Sequence, residues 1–150
     1  MSSEQRRGAV VIVVVLIAAG ALMQTQSGCG KRESNRSGPN LSWLDSLDEA
    51  LAQAARDERL VLADVRSDGC GWCDKLEAET FTDARVAAKL ATFTLVKIDF
   101  NRQRDLALQW GVRGTPTTVV LDAEGTVIKT LEGFRPPDDY LAFLNAIGQQ

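Results

Sequence analysis

An α/β domain with a mixed central β-sheet flanked by helices is what this sequence predicts, behind an N-terminal export or anchor segment. Three observations lead there. From Leu41 onward, helix-spaced and strand-like apolar patterns alternate along the chain. The last two strand-like runs are joined by Ala-Glu-Gly, Ala123 to Gly125, a hairpin signal. Apolar residues make up 45% of the 150, enough for one core of ordinary domain size. Strands separated by helices are expected to pair in parallel, and the closing hairpin adds antiparallel strands.

The opening stretch, residues 1–29, reads as a signal or membrane-anchor segment. Arg6 and Arg7 precede a run from Ala9 to Met23 with no charged or polar side chain. Those 15 residues would span roughly 22 Å as a helix, short against a bilayer core of roughly 30 Å. Cys29 follows Ser27 and Gly28, which resembles the bacterial lipoprotein signal, where such a cysteine is lipidated. Gln26 stands where that signal prefers Leu, and Gln24 to Gln26 separate the cysteine from the apolar run. Lipidation of Cys29, an uncleaved anchor, and cleavage near Ala18–Ala21 all stay open, as does a plain free thiol. Residues 30–40 are polar and rich in Gly, Ser and Pro, a composition that cannot bury enough surface to fold and reads as a flexible tether. With Arg6 and Arg7 on the cytoplasmic side, the domain at 41–150 would face outward, in the cell envelope.

Within that domain the elements run in order. Ser46 or Asp45 caps a helix to Arg59, with Leu47, Ala50, Leu51 and Ala54 at helical spacing. Leu60–Val65 is a short apolar run, a buried strand. A helical pattern starts at Cys70, runs through Phe81 and breaks near Thr80–Thr82. A second helix restarts with Thr82 as cap. Phe93–Phe100 is a strand, and Gln103–Trp110 a short helix ended by Gly111. Thr117–Asp122 and Thr126–Gly133 form the hairpin. The last helix starts at Pro137, with Asp138 and Asp139 at the positive end of its dipole. No internal repeat is visible.

Composition excludes several functions. A net charge of -3 with no basic patch argues against nucleic acid. The absence of histidine removes Ser-His and Cys-His catalysis and most zinc and copper sites. What remains is the stretch Asp68 to Lys75, DGCGWCDK, holding Cys70 and Cys73. Cys70 falls where a strand gives way to a helix, so unpaired N–H groups and the dipole favour its thiolate, the species that attacks disulfides. Cys73 lies one turn along, placed to resolve a mixed disulfide. A zinc site needs about four ligands, which two cysteines without histidine cannot supply. A structural staple is weak, because so small a loop removes little chain entropy. No cofactor is implied. Pro116, after Thr115 and just before a strand, is a candidate for a cis peptide bond that would turn the Thr115 backbone toward an extended substrate chain.

Taken together, these motifs resemble the thioredoxin fold. The resemblance covers about Leu44 to Ile147, and is nearer to the thioredoxin-like domains of bacterial envelope proteins, including the C-terminal domain of thiol:disulfide interchange proteins. It rests on VLADV, CGWCDKLE, TFTDARV, VKIDFN, WGVRGTPTTVVLDAEG and LEGF. It implies Cys70 as nucleophile, Cys73 as resolving thiol, and Pro116 facing the site. Asp64 is implied as a buried carboxylate that accepts the resolving thiol's proton, burial raising its pKa. Two departures stand out. Gly69 occupies the position where the family usually has Trp, and the Trp lies between the cysteines as Trp72, an exposed contact for a client along with Thr115 and Pro116. Asp68 and Asp74 flank the motif and would oppose the thiolate. Lys97 reads as a partly covered strand residue rather than a partner of Asp64.

The expected function is an envelope-facing thiol:disulfide oxidoreductase, membrane-tethered, acting on protein disulfide or thiol clients and reset by a membrane or soluble thiol redox partner. A non-catalytic client-binding module on the same fold, and Cu(I) delivery through two thiolates, are the alternatives.

Overall fold

The computed structural model describes residues 40–147. The expected export or anchor segment, Cys29 and the tether up to residue 39 lie outside them. Among the described residues no helix is long and apolar enough to cross a membrane.

The elements are β1 (Trp43–Leu44), α1 (Leu47–Asp57), β2 (Val61–Arg66), α2 (Gly71–Lys75), α3 (Ala84–Leu90), β3 (Thr94–Asp99), α4 (Arg104–Gln109), β4 (Thr117–Leu121), β5 (Val127–Glu132) and α5 (Pro137–Asn145). The one helix expected from Cys70 to Phe81 is two geometries in series, since α2 runs into a π-helical turn at Leu76–Thr80. Local chemistry sets the boundaries. Ser46 caps α1 by accepting the Glu49 N–H at 3.4 Å, and Glu58 ends it in the left-handed conformation. The cap of α3 is Asp83, not Thr82. Its carboxylate takes the Arg85 and Val86 N–H groups, while the Thr82 hydroxyl turns back to the Ala78 carbonyl at 2.6 Å. A carboxylate reaches two N–H groups at once and outcompetes the hydroxyl.

One five-stranded sheet runs in the order β1-β3-β2-β4-β5. β1 and β2 flank β3 in parallel, whereas β4 runs antiparallel to β2 and β5 antiparallel to β4. The antiparallel β4 departs from the rule that helix-separated strands run parallel: the chain re-enters the sheet at the end where it left, with Thr117 opposite Val65. That end gathers the ends of β2 and β3 and the start of β4. β1 pairs Trp43 with Leu95, near the start of β3, so residue 40 enters at the far pole.

Strand alternation divides the core in two. Val61, Ala63, Val65, Val96, Ile98, Val119 and Leu121 pack under α1 and α4. Leu62, Leu95 and Val120 face the other way, against Leu76, Val86, Leu90, Tyr140 and Leu144.

Candidate functional site

β2 carries the chain to the reactive pole, and a turn follows in which the Cys70 N–H bonds the Ser67 carbonyl at 3.3 Å. Gly69 sits in this turn at φ 70, a conformation that disfavours any side chain, which accounts for glycine where the family pattern has Trp. Cys70 is the cap of α2. Its Sγ accepts the Cys73 N–H at 3.2 Å. The two cysteines are joined by a disulfide, with Sγ–Sγ 2.10 Å and Cα–Cα 5.2 Å. They differ in access, since Cys73 is 2% exposed and Cys70 only half-buried.

From the loop before β4, the Thr115 hydroxyl lies 3.5 Å from Cys70 Sγ and 2.9 Å from Ser67 Oγ. The Thr115–Pro116 bond is cis. Among the described residues nothing pairs with the Thr115 backbone N–H or C=O. The Pro116 carbonyl accepts the Gly133 N–H at 2.8 Å, which ties the end of β5 to this loop. Next to Gly133, Phe134 meets the Trp72 ring at 5.7 Å between centroids, and Lys75 Nζ lies over both rings, at 5.2 Å from Trp72 and 4.8 Å from Phe134. Trp72 remains 59% exposed, so the contact orients the ring without burying it.

Asp64 points to the face covered by α2 and α5, is buried, and leaves Oδ1 without a partner among the described residues. Burial pushes its pKa up to about 6, against the nearby Arg66 and Lys97 cations that pull it down. Outside it lies a chain of ion pairs. Arg66 reaches Asp74 at 3.0 Å and Glu77 at 2.6 Å, and Lys97 reaches Glu77 at 2.8 Å. Its hydrogen bond to Lys97, above all, holds the Glu77 carboxyl below its usual range. Asp74, expected to oppose the thiolate, is paired with Arg66. Lys97 stands beside Asp64 in the strand register but spends its ammonium on Glu77. On the α5 side, Tyr140 is fully buried, shares a 2.9 Å hydrogen bond with Thr118, and is held protonated by burial.

Cys70, Cys73 and Thr115 are therefore in contact, Pro116 borders them, Trp72 forms the rim, and Asp64 lies on the sheet behind. Cys29 is outside the described residues. Ser67, Arg66, Glu77 and Phe134 were not singled out from sequence. For Arg66 a signal existed: a charge at the end of an apolar strand, two residues from Asp64 and on the same face, with acids three apart at Asp74 and Glu77 on the next helix.

A redox-ready cysteine pair at the start of a helix, beside a cis-proline loop on a mixed sheet, defines the thioredoxin-like class. The family model for the thioredoxin-like domain matches residues 47–148, and the chain belongs to this family. Among curated proteins it is 34% identical over 106 residues to a thiol:disulfide interchange protein DsbD of Ralstonia nicotianae, covering 67% of this chain and 17% of that protein. The chain thus spans about a sixth of that relative's length. It is 30% identical over 90 residues to thioredoxin H-type 2 of Nicotiana tabacum, covering 60% of this chain and 73% of that protein. Among solved structures, a thioredoxin from Thermus thermophilus matches with TM-score 0.66 and 27% identity, over 74% of this chain and 89% of that one.

Proposed function

We propose that the chain is an envelope-facing thiol:disulfide oxidoreductase, held at a membrane by its N-terminal segment, that reduces or exchanges disulfides in client proteins. The observation that carries this reading is the asymmetry of the pair. Cys70 is accessible, with the Cys73 N–H and Thr115 hydroxyl at its sulfur, while its partner is buried. In the reduced state those donors favour thiolate at Cys70. The thiolate attacks a client disulfide, one client sulfur leaves as thiolate and takes up a proton, and a mixed disulfide remains. Cys73 then loses its proton to Asp64 and attacks Cys70 Sγ. The second client sulfur leaves and is protonated, and the Cys70–Cys73 disulfide forms. Two electrons and two protons pass to the client. An extended client strand pairs with the free backbone groups of Thr115 beside Pro116, and Trp72 supplies an apolar contact. A thiol redox partner resets the pair. The envelope setting is supported by the apolar run Ala9–Met23 and the likeness to interchange proteins.

The test is a redox titration of the chain in graded thiol/disulfide buffers, with free thiols trapped and the peptide carrying Cys70 and Cys73 weighed. A reversible couple is expected. A value near about -270 mV marks a reductant and one near about -120 mV an oxidant. If no reversible couple forms, the reading fails. Cys70→Ser is expected to abolish turnover of a disulfide client, whereas a pure client-binding module would keep its function.

A further inference from the structure

Arg66 ends β2 two residues beyond Asp64, so its side chain leaves the sheet on the same face. Its side chain is 26% exposed, and its guanidinium forks between two carboxylates, Asp74 Oδ1 of α2 at 3.0 Å and Glu77 Oε2 of the turn that follows at 2.6 Å. Lys97, opposite Asp64 on β3, holds the other Glu77 oxygen at 2.8 Å. Two cations thus balance two anions directly outside the buried Asp64. The groups bearing on Asp64 are Arg66 from β2, Lys97 from β3, Glu77 from the turn after α2, and the neutral Tyr140 of α5, itself bonded to Thr118 of β4.

We propose that Arg66 is a positioning residue for the thiol chemistry: it pins Asp74 and Glu77 and cancels their charge, so that thiolate at Cys70 and carboxylate at Asp64 can form at neutral pH. This rests on the oxidoreductase reading. Asp74 lies in the first turn of α2, where a bare carboxylate opposes a second negative charge at Cys70. Glu77, left to Lys97 alone, adds a further charge that resists ionisation of Asp64, as the direction of its influence on that group indicates. Holding the fold together is the weaker explanation. Partly exposed ion pairs contribute little to stability, whereas the same charges act strongly on a buried neighbour. A lysine could supply the charge but not the planar fork that takes two carboxylates at once.

The experiment follows alkylation of Cys70 by iodoacetamide against pH, on the reduced full chain in mild detergent, read by mass on the peptide that carries Cys70. Arg66→Met is expected to raise the thiolate midpoint by about one unit, making alkylation about tenfold slower below it. Adding Glu77→Gln should bring the midpoint most of the way back, and Arg66→Lys should fall between. An unmoved midpoint in Arg66→Met, or a shift that Glu77→Gln deepens, overturns the proposal. If Arg66→Met does not fold, Glu77→Gln alone decides. Removing that carboxylate beside an intact Arg66 should lower the midpoint, and no change or a rise overturns the proposal. Because alkylation needs no client, these outcomes are separate from failure of the redox couple, which would overturn the oxidoreductase reading instead.

Discussion

Under α1 and α4, the strands present Val61, Ala63, Val65, Val96, Ile98, Val119 and Leu121, every one apolar and buried. On the opposite face the same strands begin alike, with Leu62, Leu95 and Val120, and then change character toward the reactive pole. There they present Asp64, Arg66, Lys97 and Thr118. Buried charge is thus admitted on one face only, and only where a helix brings the cysteines, while the face under α1 and α4 holds nothing more polar in its strands' buried positions than Thr94 and Thr117. That face can be close-packed, and it gives the reactive face a rigid backing against which a buried carboxylate can be tolerated.

The largest effect is expected on the apolar face. Ile98→Ala should cost about 3 kcal/mol by cavity formation, measured by denaturant unfolding, and leave the reduction potential of the pair unchanged. On the reactive face the sign reverses. The Asp64 carboxyl titrates near 6 in the fold against an ordinary 3.8, so the folded chain binds that proton more tightly. Stability therefore falls as pH rises from about 4 to about 6, and the loss persists above. Asp64→Asn should recover about 2–3 kcal/mol at pH 7 and nothing at pH 3, in the same unfolding assay, while slowing release of the mixed disulfide. A neutral variant that is no more stable at pH 7 would contradict the burial argument. Thr118→Val leaves the buried Tyr140 hydroxyl without its partner and should cost about 1–2 kcal/mol. Smallest is Trp72→Ala at the exposed rim, expected to raise KM for a protein client a few-fold with stability within about 0.5 kcal/mol of the parent.

Much of the frame was legible because it is written locally. The apolar run of β2, the helical spacing of Leu47 to Ala54, and Gly125 at the hairpin each carry their own signal. β1 was not legible, since two residues, Trp43 and Leu44, have no periodicity. The direction of β4 is set by which end of the sheet the chain re-enters, a tertiary matter that no local pattern records. Thr82 and Asp83 are adjacent cap residues, and only the competition between their oxygens decides the start of α3. At the site, the cysteine spacing announced itself. The Arg66–Glu77–Lys97 chain joins three separate elements, and no window along the sequence contains it.

Because β1 lies along the start of β3, the chain enters the described fold at the pole remote from the disulfide. Residue 40 thus sits at the stern of the domain while the cysteines ride at its prow, so the point of entry itself takes up none of the reactive surface.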